Sequence, residues 1–125
     1  MILQPGIIWT IVTLLFLFFA LTSSIKIFAW QKTIFETQMG FMRSYGLNRQ
    51  MFFLIGVVEL AGAIAIWFQQ QIPGLLGAGA LLCVSIGAIG FHLVFDNWKS
   101  AVPATVTTML SGLLVYNQQS LIPFI

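Results

Sequence analysis

Glu59 is the residue of this chain best placed to do chemistry. It lies in the middle of an unbroken apolar run from Met51 to Phe68, with nothing else charged in it. A carboxylate at the centre of a lipid-embedded helix costs about 3 kcal/mol or more unless a partner or a water-filled cavity meets it. Such an acid has three uses. It can pair with a buried cation and fix helix register. It can line a cavity that holds a small polar ligand or a quinone-like headgroup. It can carry a proton through a transport cycle. All three remain open from the residues alone.

Several polar side chains share its depth. Glu59 is eight residues past Met51, roughly 12 Å along the helix. Lys26 closes the first apolar run and His92 the third, both near the same end. Asp96 follows His92 by four residues, so it reaches the same face. Ser23, Ser24 and Ser85 add hydroxyls slightly deeper, and Thr105 and Thr108 add more from the fourth run. The other half of each run is almost free of polar groups until Asn117 and Gln118. Lys26 could pair with Glu59 or snorkel its amine to the headgroups.

Gly56, Glu59 and Ala63 share one helix side, as do Ala78, Ser85, Ala88 and His92. Small residues let helices approach closely in lipid. A second small stripe, Gly79, Cys83 and Gly87, is expected to make another packing contact, with Cys83 a small core residue.

Other chemistries find little support. One glutamate and one histidine do not make a metal site, so no metal is expected. No nucleophile–base arrangement, phosphate loop or nucleotide fingerprint is present. No catalytic residue is assigned, and no cofactor is expected beyond a possible quinone or lipid-like ligand. Cys83 is the single cysteine, which excludes a dithiol redox enzyme. A net charge of +2 without a basic run gives no footing for nucleic acid.

These residues must be positioned by membrane-embedded helices. Of 125 residues, 59% are hydrophobic and 6% charged, against about a quarter charged in soluble domains. The chain reads as one all-α domain, 1–125: an integral membrane four-helix up-down bundle in a lipid bilayer. The predicted spans are about 7–29, 51–68, 75–95 and 103–119. The first run has no preceding Lys or Arg and is longer than a signal-peptide core, so it reads as a retained span. The Gln-Gln-Gln-Ile-Pro-Gly segment at 69–74 predicts a tight turn between spans two and three. Pro103 suits the first turn of span four.

All five basic residues, Lys26, Lys32, Arg43, Arg49 and Lys99, flank or lie in the first and third connections. The positive-inside rule makes those connections cytoplasmic and places both termini outside the cytoplasm. Trp9, Trp30, Trp67 and Trp98 fall at span boundaries, where an apolar ring with one N–H donor belongs. In the first connection Ile34, Phe35, Met39, Phe41, Met42 and Tyr45 recur at helical spacing among polar residues. This predicts a short amphipathic helix between spans one and two, on the membrane interface or packed on the bundle. Gly46 is its expected stop, and Asn48 the expected cap of span two.

The motifs resemble those of the DoxX-like family over essentially the whole chain. Ser23-Ser24-Ile25-Lys26-Ile27 is similar to that family's Gly-x-x-Lys-Leu signature. Tyr45-Gly46-Leu47 resembles its Tyr/Leu-Gly-Leu-Pro stretch. Gly56-Val57-Val58-Glu59-Leu60-Ala61-Gly62 resembles its Gly-x-x-Glu-Leu-x-Gly core, and Gly87-Ala88-Ile89-Gly90-Phe91-His92 its third helix. The sequence departs from the pattern at Ser23, where glycine is usual, and at Asn48, where proline is usual. It also lacks the basic residue often found after span two. The resemblance implies a multi-pass protein of the bacterial inner membrane. Relatives include a subunit of thiosulfate:quinone oxidoreductase, components of redox or oxidative-stress complexes, and an assembly chaperone for nicotinic receptors.

Two functional expectations follow. The first is a non-catalytic accessory or assembly subunit of a redox or quinone-linked membrane complex, partnered by other subunits or by a second copy of itself. The second is a small-ligand-binding or proton-coupled transport protein that uses Glu59. The candidate polar cluster is Glu59, His92, Lys26, Asp96, Ser23, Ser24 and Ser85.

Overall fold

A computed structural model describes residues 4–28, 30–44, 46, 48–95 and 97–118. It is all-α. The helices are α1 (Pro5–Phe28), α2 (Lys32–Ser44), α3 (Arg49–Ala65), α4 (Ile72–Phe95) and α5 (Val102–Asn117), with a single 3-10 turn, Trp98–Ala101, before α5. Apolar residues surround α1 and α4 on all sides, as expected of helices with no aqueous face. Both are long and apolar enough to cross a membrane. With 17 and 16 residues, α3 and α5 are shorter, about 26 and 24 Å.

The long helices form an antiparallel bundle. α3 packs tightly on α1 and α4, α4 packs tightly on α5, and α1 meets α5 much less closely. Trp9 near the start of α1 stacks on Trp67, just beyond α3, at 6.1 Å. At the opposite end, the Arg49 Nη2 donates to the Ile27 carbonyl at 3.1 Å. Outward faces carry large apolar side chains, with Leu17 60% and Met109 66% exposed. This is what lipid requires and water would penalise.

The apolar core occupies the half away from the basic residues. Ile8, Ile11, Val12 and Leu15 of α1 pack with Ala63 and Ile66, Ala78 and Leu81, and Leu114 of α5. Beyond this core, polar groups tie the ends together. The Gln70 backbone N–H donates to Gln118 Oε1 at 3.1 Å, and Gln70 Nε2 donates to the Asn117 carbonyl at 2.8 Å. Gln118 Nε2 donates to the Leu114 carbonyl at 3.1 Å. Late carbonyls of α5, which lack helical partners, are thereby satisfied. The turn between α3 and α4 runs from Ile66 to Gln71, earlier than expected, and Pro73 sits in the first turn of α4. There its missing N–H costs nothing.

α2 runs where the amphipathic pattern places it. Met39 is buried, Phe35, Phe41 and Met42 are half-buried, and Ile34 stays exposed beside Lys32 and Glu36. Gly46, at φ +81°, turns the chain after it, a conformation that suits glycine. Asn48 then caps α3 by accepting from the Met51 N–H at 3.0 Å.

One expectation fails. The stripe Gly79, Cys83 and Gly87 is not a close helix–helix contact, and of the three only Gly87 lines the cavity between the helices. Cys83 is exposed, and the space beyond Gly79 and Gly87 is empty to 4 Å. α4 instead uses the face of Ala78, Leu81 and Ser85, and Cys83 projects away from it. Gly56 behaves oppositely: a Cβ there would lie 2.9 Å from Lys26 Cβ and 3.1 Å from Ile27 Cγ1. Gly56→Ala is therefore expected to lower stability by roughly 1–3 kcal/mol through overpacking. Gly79→Ala is expected to be neutral, or to stabilise by up to about 1 kcal/mol through helix propensity. Thermal unfolding of the two variants in one detergent compares them directly.

Candidate functional site

In the basic half the helices diverge around a cavity of about 580 Å³. α1 contributes Phe18, Phe19, Thr22 and Lys26 to its wall, and α3 contributes Phe52, Ile55 and Glu59. α4 adds Val84, Ser85, Ala88, Phe91 and His92, α5 adds Pro103, Ala104 and Thr107, and α2 covers it with Phe41 and Met42. The surface is mainly hydrocarbon and aromatic, with a few convergent polar groups. Its volume falls within the range of small-molecule sites, roughly 300–1,000 Å³.

The strongest interaction on the wall joins α1 to α3. Lys26 Nζ lies 2.6 Å from Glu59 Oε1, with both side chains at least nine-tenths buried. At that separation the amine and the carboxylate are in direct contact as an ion pair. Thr22 faces the same carboxylate, and the Phe52 ring lies 5.8 Å from the amine, close enough for a cation–π contact. The pair explains how the acid is tolerated: two opposite charges in low dielectric compensate one another's desolvation where neither could stand alone.

A hydroxyl pair faces it from α4 and α5. Ser85 Oγ and Thr107 Oγ1 are 2.7 Å apart and buried. Thr107 also donates to the Ala104 carbonyl at 3.1 Å, an arrangement in which Ser85 supplies the proton between the two hydroxyls. His92 completes the polar set, with the Phe41 ring edge-on to its imidazole at 5.3 Å.

The cavity thus brings together Glu59, Lys26, Ser85 and His92 of the expected cluster. Two serines do not join it. Ser23 is buried but donates to the Ala20 carbonyl of its own helix at 3.1 Å. Ser24 donates to the Leu21 carbonyl at 2.7 Å and accepts from the Trp30 indole N–H at 3.0 Å. Asp96 lies outside the described residues. The α5 contribution also differs from expectation. Thr105 and Thr108 bond the Ala101 and Ala104 carbonyls, and Thr107, between them, is the threonine that faces the cavity.

Arg49 is a further residue that a charge count undervalues. Its guanidinium caps the end of α1 through Ile27 and lies over the rings of Phe35, Phe52 and Phe53 at 5.0, 6.0 and 6.0 Å. The sequence signal was available in Phe52 and Phe53, one turn beyond an arginine at a helix start. Thr22 and Phe41 had none beyond their spacing.

Removing one member of the ion pair leaves the other uncompensated. Lys26→Met is expected to destabilise by about 3 kcal/mol or more. Adding Glu59→Leu to that variant is expected to restore most of the loss. Unfolding midpoints of wild type, both single variants and the double variant in one detergent give the coupling. A double variant no more stable than Lys26→Met would argue against the pair's role.

No curated protein and no solved structure matches the chain. The model of the DoxX-like family matches residues 10–114, from the first turns of α1 to the last turn of α5, and takes in all four bundle helices and the cavity they enclose. This multi-pass membrane protein belongs to the DoxX-like family.

Proposed function

We propose that the protein is a non-catalytic, ligand-holding accessory subunit of a redox or quinone-linked membrane complex. In this reading the cavity accepts an amphipathic molecule with a compact oxygenated headgroup. The observation that carries it is the cavity of about 580 Å³ with Glu59, Lys26, Ser85, Thr107 and His92 on an otherwise apolar wall. A wholly structural ion pair would not require the surrounding helices to leave such a space, since close packing is the rule for protein interiors. The imidazole suits a carbonyl or hydroxyl oxygen, the Ser85 and Thr107 oxygens can accept from a hydroxyl, and the aromatic side chains suit a flat ring.

The location that goes with this reading is the bacterial inner membrane, with both termini away from the cytoplasm. The gathering of Lys26, Lys32, Arg43, Arg49 and Lys99 at one end of the bundle supports that orientation through the positive-inside rule. Partner subunits, or a second copy, would meet the outward apolar faces.

A second reading, proton-coupled transport, draws on Glu59 itself, because a carboxylate on a cavity wall can exchange a proton with a passing substrate. Substitution separates the two. Ala88→Phe fills space beside His92 and is expected to reduce the quinone that copurifies in mild detergent by about tenfold. Glu59→Gln, if it folds, is expected to keep most of that quinone under the accessory reading. Under the transport reading it abolishes pH-dependent uptake in proteoliposomes. Wild-type protein that extracts with no quinone and takes up none when supplied with decylubiquinone would end the first reading.

A further inference from the structure

The cavity has one weak wall. α1 and α3, α3 and α4, and α4 and α5 are each tightly packed, whereas α1 and α5 touch sparsely. In the far half Ile8, Ile11 and Leu15 of α1 share an apolar core with Leu114 of α5. In the basic half Phe18 and Thr22 of α1 and Pro103 and Ala104 of α5 all line the cavity. Phe18 is 40% exposed and Pro103 is exposed, so both edges also face the surroundings of the bundle. Lengthwise, the space ends at Phe19, which belongs to the far core. At the basic end Phe41 and Met42 of α2 cover it.

Resting on the ligand-holding reading above, we infer that the seam between α1 and α5 is a lateral portal through which the cavity takes a single-chain neutral amphiphile directly from the bilayer. The head lies inside and the tail leaves between Phe18 and Ala104. The charge on the wall sets the class of head. Lys26 is already answered by Glu59 at 2.6 Å, so a phosphate or carboxylate head would compete with Glu59 for that amine. A neutral head needs no counter-ion: the His92 imidazole can bond its oxygen, and the Ser85 and Thr107 oxygens keep lone pairs that can accept from a hydroxyl. The tail has a simple reason to exit sideways. It gains nothing by leaving hydrocarbon for protein, because lipid is as apolar as the helix faces, and the seam lets it remain in lipid.

The test uses the full-length protein in maltoside micelles and two quinones as probes: decylubiquinone, which has a tail, and duroquinone, which has none. Ala104→Phe places a ring at the α5 edge of the seam, one turn before Thr107. It is expected to weaken decylubiquinone retention by about tenfold more than it weakens duroquinone retention. Equal loss of both probes, or loss of neither, overturns the portal. Should Ala104→Phe not fold, Phe18→Ala carries the test from the other edge. It widens the seam and is expected to speed decylubiquinone exchange severalfold more than duroquinone exchange, and decylubiquinone exchange equal to that of wild type overturns the portal. Wild-type protein that retains neither probe defeats the ligand-holding reading itself. Retention of both probes with no effect of either variant leaves that reading standing and removes only the lateral route.

Discussion

The Lys26–Glu59 ion pair is the constraint around which the basic half of the bundle is arranged. Taking either charge into hydrocarbon alone costs several kcal/mol. At 2.6 Å, with Thr22 beside the carboxylate and Phe52 beneath the amine, the two are tolerated together. The pair therefore admits one relative placement of α1 and α3. Rotating α3 by a single residue, about 100°, would turn Glu59 toward acyl chains. Gly56 reinforces that placement, because only a missing side chain lets α3 come this close to Lys26 and Ile27. Once α1 and α3 are locked, α4 follows through Gly62 against Leu81, and α5 follows through the Ser85–Thr107 pair.

The same accounting of polar groups explains the ends of the helices. In a membrane no water reaches the interior to satisfy orphaned backbone groups. Arg49 answers the end of α1 by donating to Ile27, and its charge is spread over three aromatic rings rather than left against lipid. At the other end Gln70 and Gln118 do the same for α5. Gln70 adopts φ +63° to make its bonds, an unusual conformation for a residue with a side chain. The side-chain and backbone bonds to Gln118 and Asn117 offset that cost.

Much of this was legible in the sequence, and the reasons for the failures are physical. Helix extents, the glycine stop at Gly46, the Asn48 cap and the inward face of Glu59 follow from apolar periodicity and local hydrogen-bonding chemistry, which act over a few residues. Lys26 was readable as a partner of Glu59 because a buried acid has few options. Hydroxyl positions were poorly legible. A serine or threonine in a helix can satisfy itself on a carbonyl three or four residues back, as Ser23, Thr105 and Thr108 do. Its presence in a span therefore carries little information about which way it faces. The Gly79–Cys83–Gly87 stripe misled for a related reason. In lipid a small residue costs nothing on an outward face, so spacing alone does not show whether a helix packs against it. Arg49 was read only as a marker of topology because its reach across α1 depends on tertiary placement.

A ring of four helices needs four seams, and this bundle closes three of them. In water the open fourth would collapse, because burying its apolar edges would release solvent. In a bilayer that drive is absent, and helices stay together only where packing or hydrogen bonds favour it. The far half has both, with a dense apolar core and the glutamine bonds. The basic half has an ion pair between α1 and α3 and a hydroxyl pair between α4 and α5, but neither crosses from α1 to α5. Because Lys26 and Glu59, and Ser85 and Thr107, satisfy one another within each side, neither side needs the other to cover its polar groups. The gap between them can stay open to a molecule that is itself mostly hydrocarbon, without an unpaired charge in the empty protein.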